Sequence, residues 1–415
     1  MRARFDTRSI ERRLCYLGVL AGFVLLETSV ASCASTESEP GAHEDDTDSA
    51  SAVPAVDAAV ADSADAGCDP DGGDCTQPQP PPCSDVEWCL EKTSHPAGIG
   101  LASVWGSGPN DVWTVGAFGT VTHWDGKQWT TSQLETHWSL RAVWGSGPND
   151  VWTMAATNQI FHTTGFVNGT ATWSSVASVT DEAINPPALA GAIWGSSASD
   201  VWIGGKILYM QRDNDLFGEL AWRTVAAEDG GVAWAPGLQD FTLDMTRGIW
   251  GSGPNDVWVV GTKSNNLPFA AHSTGADSAN GEAPKWTVLD TQALSGLYAV
   301  WGSGPDDVWA VGDNGTIRHA SAKAKLWTII ESPTTENLRG IWGSGPNDVW
   351  VVGEHGTLLH YDGAEWRTAT GGFVPGTKPH LYSVWGSGPN DVWAVGSGIV
   401  LHYSGPKPGA EGANR

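Results

Sequence analysis

Six histidines, His123, His162, His272, His319, His360 and His402, occupy one recurrent position along the 415-residue chain, with Tyr209 standing there once. Seven aspartates, Asp111, Asp150, Asp200, Asp256, Asp307, Asp348 and Asp391, occupy another. Imidazoles and carboxylates are the groups from which metal sites and acid–base catalysts are built. Here they recur once per segment, and in a radial fold equivalent side chains lie too far apart to share an ion, whose ligands must sit about 2 Å away. The pattern predicts structural roles: histidines bonding a turn or strand within each segment, and aspartates fixing turns. The Gly-Ser-Gly segments lack the Lys-Ser/Thr of a phosphate loop, and Gly-x-Ser-x-Gly, His-Glu-x-x-His and Cys-x-x-Cys are absent. Neither a metal nor a cofactor is expected.

Positions at which the segments disagree are more informative. Three residues before the first tryptophan of each segment stand Ala102, Arg141, Gly191, Arg247, Tyr298, Arg339 and Tyr382. Trp138 and Trp234 are placed in the loops that lead into this position. Arginine with tyrosine or tryptophan suits protein hot spots and acidic sugars equally. The expected ligand face therefore carries Arg141, Arg247, Arg339, Tyr298, Tyr382, Trp138 and Trp234.

The elements that position these residues are repeats. Trp105-Gly106-Ser107-Gly108-Pro109-Asn110-Asp111-Val112-Trp113 recurs with small changes from Trp144, Trp194, Trp250, Trp301, Trp342 and Trp385, at spacings of 39, 50, 56, 51, 41 and 43 residues. A third tryptophan precedes each next copy, at Trp129, Trp173, Trp222, Trp286, Trp327 and Trp366. The last copy lacks one, and Trp88 stands unaccounted for at the other end. Leu338–Trp342 reads as a first strand, Gly343–Asp348 as a tight turn, Val349–Gly353 as a second strand and Thr357–Tyr361 as a third, with Trp366 on a fourth. Four short antiparallel strands per unit of this length make a propeller blade. The sequence predicts an all-β, seven-bladed β-propeller over residues 85–405, closed by a strand near Trp88, with a tail at 406–415.

The N-terminal part predicts an address. Five arginines precede an apolar run from Leu14 to Leu26 and then Val30-Ala31-Ser32-Cys33, the layout of a bacterial lipoprotein signal over residues 1–32 with Cys33 lipidated. Residues 33–84 are acidic, rich in Ala, Ser, Pro and Gly, and read as a flexible spacer. Cys68, Cys75, Cys83 and Cys89 cluster at its downstream end, and in an exported protein suggest two disulfides with three possible pairings. A disulfide between Cys83 and Cys89 would hold the strand near Trp88. The net charge of −25 argues against a nucleic-acid partner. Membrane contact is expected through the lipid anchor alone, at the cell envelope and its outer membrane.

The layout L-x-x-V-W-G-S…D-V-W-x-V-G…G-x-I-x-H…W resembles the tryptophan-rich β-propeller repeats of the tectonin (tachylectin-2-like) and BNR-like or WD40-like classes. That resemblance implies the propeller fold and, for tectonins, lectin activity. Ser344…Asp348-Val349-Trp350 departs from the spacing of the BNR Asp-box. The expected function is non-enzymatic binding of a glycan or an envelope protein. The alternatives are a carbohydrate-active hydrolase or lyase and a scaffold for envelope complexes; the sequence leaves oligomeric state open.

Overall fold

A computed structural model of the chain describes residues 78–407 apart from 158, 177–188, 211–215, 227–231, 240–242, 264–265, 276–283, 322 and 324–325. The expected signal, Cys33, Cys68 and Cys75 lie outside the described residues.

The strands form seven four-stranded antiparallel sheets. The first blade shows the plan: β2 (Leu101–Gly108), β3 (Asp111–Gly116), β4 (Thr120–Trp124) and β5 (Trp129–Gln133), running from the innermost strand outward. The other innermost strands are Leu140–Gly147, Leu189–Ser197, Leu243–Gly253, Leu297–Gly304, Leu338–Gly345 and Leu381–Gly388. The chain is a seven-bladed β-propeller. Along β3 the whole run Val112–Gly116 is buried, as a strand covered on both faces must be.

No blade buries its own apolar residues. Seven separate hydrophobic clusters lie one at each junction between neighbouring blades. Two tryptophan contacts recur there. In the first, the leading tryptophan of one blade lies on the glycine that follows the leading tryptophan of the next. A Cβ on Gly145 would meet the Trp105 ring at 2.6 Å, and one on Gly343 would meet Trp301 at 2.5 Å. In the second, the mid-blade tryptophan meets the outer-strand tryptophan of the following blade edge-on. Examples are Trp113 with Trp173 at 5.7 Å and 89°, and Trp258 with Trp327 at 5.7 Å and 86°. Edge-to-face rings at this separation are favourable beyond the area they bury.

Ring closure uses the displaced tryptophan as expected. Strand β1 (Trp88–Leu90) pairs antiparallel with Ile399–Tyr403, Trp88 facing Tyr403, and completes the seventh sheet. Trp88 is fully buried and meets Trp350 of the sixth blade at 5.0 Å and 86°. The same segment grips the sixth blade through its backbone: the Trp88 amide donates to the Thr370 carbonyl at 3.0 Å and the Gly372 amide to the Trp88 carbonyl at 2.8 Å. Cys83 and Cys89, on either side of this start, are joined in a disulfide.

Two expectations need correction. The Gly-Ser-Gly segment is strand, not turn: Leu338–Gly345 continues through it with a bulge between Gly343 and Gly345, and only Pro346-Asn347 turn the chain. Glycine is needed there to receive a ring rather than to bend. In the third blade the second strand extends over Asp200–Met210, so Tyr209 lies on it and not on the third strand, Leu216–Ala226. Trp222 is on that third strand, and the outer-strand tryptophan is Trp234, within Val232–Gln239.

The stacked geometry separates two glycines that sequence alone cannot. Gly343→Ala, crowding Trp301 and the Asp348 carbonyl, is expected to lower stability by about 2–3 kcal/mol. Gly345→Ala, with nothing near its Cβ, should stay within about 0.5 kcal/mol of the parent in urea unfolding.

Candidate functional site

The recurrent aspartates and histidines are partners. In each blade a serine hydroxyl donates to one oxygen of the aspartate, as Ser107 does to Asp111 Oδ2 at 2.6 Å. In six blades a histidine Nε2 meets the other oxygen, as His123 does at 2.7 Å and His402 does on Asp391 at 2.7 Å. A carboxylate only accepts, so that nitrogen carries the proton. The Trp113 and Trp393 indoles donate to the same oxygens at 3.0 and 3.1 Å. The His402 ring lies flat on Trp393, 3.9 Å between centroids and 11° between planes. The third blade has Arg223 in the histidine register, opposite Trp202, donating Nε–H to Asp200 at 2.6 Å and lying over the Trp202 ring. These groups are spent on each other and position strands.

The varied position is different. Each of its seven residues sits at a break in register of the innermost strand: Arg141 between the paired Leu140 and Ala142, Arg339 between Leu338 and Gly340, Tyr298 between Leu297 and Ala299. A bulge re-aims its side chain, and three neighbouring bulge residues touch. The Arg247 and Arg339 guanidinium groups both lie over the Tyr298 ring, at 5.0 and 4.0 Å. Arg339 also pairs with Glu354, through Nε–H at 2.9 Å and through Nη2. Tyr382 shares a 2.9 Å hydrogen bond with Ser397. Burial opposes the charge on Arg339, yet Glu354 and Tyr298 hold its pKa above the ordinary value. Arg247 has the Tyr298 ring but no carboxylate in ion-pair range among the described residues, its buried Nε without a hydrogen-bond partner there, and Arg141 has neither ring nor carboxylate. Burial lowers the Arg141 pKa, and only Tyr382 opposes the shift.

The structure therefore brings Arg247, Tyr298 and Arg339 into one stack, sets Arg141 and Tyr382 on the same ring, and leaves Trp138 exposed on the loop into Arg141. It moves Trp234 out of the loop class. That residue packs edge-on against Trp152 at 6.3 Å and 83°, in the cluster between the second and third blades, because it fills the outer-strand tryptophan position. Glu354, Asp313 and His380 were not anticipated. They lie in short turns and loops outside the repeat motif, and no periodic pattern marks them. Glu354, His355 and His380 bring ligand-type atoms within 4.8 Å of one another. Both Glu354 oxygens are engaged, one by Arg339 and the other by the Asn337 amide at 3.0 Å, so the trio is a hydrogen-bonded cluster about an ion pair. The Tyr298 hydroxyl has its pKa raised, by burial first and by Asp313, with the two arginines opposing.

No protein-family model matches the chain, and no curated protein matches it. Solved structures do. The chain is similar to "YCF48 bound to D1 peptide", with a TM-score of 0.57 and 18% identity, over 77% of this chain and 97% of that one. It is similar to YCF48 from Cyanidioschyzon merolae, with a TM-score of 0.56 and 14% identity, over 77% and 99%. The WD40 propeller domain of Doa1 gives a TM-score of 0.50 and 10% identity, over 78% and 98%. At these identities the likeness is one of fold.

The paired network predicts stability limited on both sides of neutrality. For Asp111, Asp150, Asp256, Asp348 and Asp391, burial favours the neutral acid, but hydrogen bonds from histidine and serine reverse this and lower the pKa below the ordinary 3.8. A lowered carboxylate pKa stabilises the fold above the unfolded value and ceases to as pH falls through the folded one. His402 is raised above 6.5: burial lowers it, while Asp391 and Glu91 more than compensate. Its contribution is complete below 6.5 and fades as pH rises through the folded value. Melting temperature should fall steeply below about pH 4, and His402→Gln should flatten the decline on the alkaline side.

Proposed function

We propose that the protein is an exported, lipid-anchored binding module that holds an envelope protein on the channel face of its propeller, without catalysis. The observation that carries this reading is the ring of bulge residues. The innermost strand repeats in every blade, while the residue at its bulge varies and is an arginine or tyrosine in five of the seven. Arg141 and Arg247, which have no carboxylate in ion-pair range among the described residues, leave positive charge suited to an acidic group on a chain of net charge −25. A protein partner is preferred to a glycan because the similar YCF48 propeller is described as bound to a peptide. The anchor reading rests on Val30-Ala31-Ser32-Cys33 and the acidic spacer that follows. It gives the propeller reach above a membrane, and the outer membrane is its proposed location.

Two measurements test this. Mass spectrometry of the native N-terminus should find a lipid-modified Cys33, and Cys33→Ser should release the chain from membranes. The purified chain, screened against a random-peptide library, a glycan array and a panel of glycosidase substrates, should bind peptides and turn over nothing. Ala102→Trp, which fills the gap between Arg141 and Tyr382, should weaken any such binding at least about tenfold. Binding indifferent to Ala102→Trp would move the site off this face.

A further inference from the structure

The ring is uneven in a way the fold does not require. In the sixth blade the turn between the second and third strands supplies Glu354 to Arg339. In five of the seven blades the equivalent turn residue is identifiable by its backbone bond to the incoming loop: Glu354 N–H donates to the Asn337 carbonyl, Asp313 to Gly296, Ser397 to His380, Ala117 to Gly100 and Ala156 to Ser139. Arg141 belongs to the second blade, so its would-be carboxylate is Ala156. The bulge residues of the blades on either side are Ala102 and Gly191, which bring neither ring nor acid. A half-buried guanidinium is thus left facing the channel mouth with the usual partner position blank.

Two exposed rings lie on the turn and the loop that meet the start of Arg141's strand. Phe118 is 60% exposed and has φ of 54°, a left-handed conformation costly for a bulky side chain. The same turn position holds Asn314 and His355, at φ of 54° and 51°, and Asn and His tolerate it far better. Trp138 is 53% exposed on the loop that enters Arg141's strand. Turn and loop are bound together, Leu134 N–H donating to the Gly119 carbonyl at 2.9 Å. Some of the nearby polar side chains are engaged, while Glu135 and His137 of the same loop are exposed. Gln133 donates to the Phe118 carbonyl at 2.6 Å, and the Thr136 hydroxyl to Gln159 at 2.7 Å.

We infer that Phe118, Trp138 and Arg141 form a sub-site that anchors a peptide, an apolar side chain against the two rings and a carboxylate on Arg141. This rests on the reading of the channel face as the ligand face. Two exposed rings near a guanidinium without a carboxylate among the described residues favour a ligand that joins an apolar side chain to a carboxylate, as a peptide does. The carboxylate belongs to an Asp or Glu side chain or to a chain terminus; both present the same planar acceptor to a guanidinium.

The test uses the full chain and a phage-displayed random dodecapeptide library. Selected peptides should carry an acidic residue or free C-terminus near an aromatic or aliphatic one. Synthetic versions with the side-chain acid amidated, or with the C-terminus amidated, identify which carboxylate is read. Ala156→Glu, which supplies the missing partner internally, should weaken binding at least about tenfold while leaving the melting temperature unchanged or higher. Phe118→Asn should do the same, since it removes an exposed ring and relieves the left-handed turn. Peptides that bind both variants as they bind the parent, yet fail on Ala102→Trp, would overturn this sub-site and leave the channel face standing. A fall in melting temperature for Phe118→Asn would show the ring to be structural and overturn it too. Enrichment on an acidic-glycan array with no peptide selected would overturn the peptide assignment, and loss of neither ligand class on Ala102→Trp would overturn the face itself.

Discussion

The fold depends on a tryptophan of one blade lying on a glycine of the next. Seven such contacts run around the innermost strands, each within what a single Cβ would block. The Trp-Gly dipeptide thus gives a blade both a ring to offer its successor and a bare backbone to accept its predecessor. These tryptophans are partly buried, so each contributes less than the roughly 4–6 kcal/mol of complete burial of such a ring. An isolated blade would have nowhere to place that surface, so stability is a property of junctions, as in other repeat architectures. Serine, histidine and aspartate then hold the mid-blade tryptophan edge-on to the next unit's outer ring.

Much of this was legible because repetition exposes it. The count of blades follows from seven copies of one motif, and closure from a tryptophan missing at one end and present as Trp88 at the other. What failed was the inference from residue type to local geometry. Gly343-Ser344-Gly345 looks like a turn, yet its first glycine is there for the Trp301 ring. The third blade departs from the pattern for another reason. Its lengthened second and third strands moved Tyr209 and Trp222 off their expected positions, and Arg223 took over the histidine's part, bonding Asp200 and covering Trp202. The physical requirement persisted while the side chain changed, and a search for histidine passes over it.

The candidate site was half legible. Variation at one repeat position marked Arg141, Arg247, Tyr298, Arg339 and Tyr382, since the fold makes no demand there. Their partners were not, because Glu354 and Asp313 sit in turns where each blade is written independently. That independence is also why the ring is electrically uneven, with Arg339 neutralised within its own blade and Arg141 left to burial and Tyr382 alone.

The closing strand has a consequence in time. Trp88 is made before any blade exists, and its partners on Ile399–Tyr403 are made after nearly all of them. As the chain emerges N-terminus first into the compartment where it folds, the strand around Trp88 waits for the sixth and seventh blades that it will close. The nascent protein therefore passes through a long interval as an open arc with a bare strand edge and an uncovered Trp350, a species prone to pair with the wrong neighbour. The disulfide between Cys83 and Cys89 needs none of the later blades. It can shape the waiting segment early, so that the last event in folding is the docking of a strand already held in form.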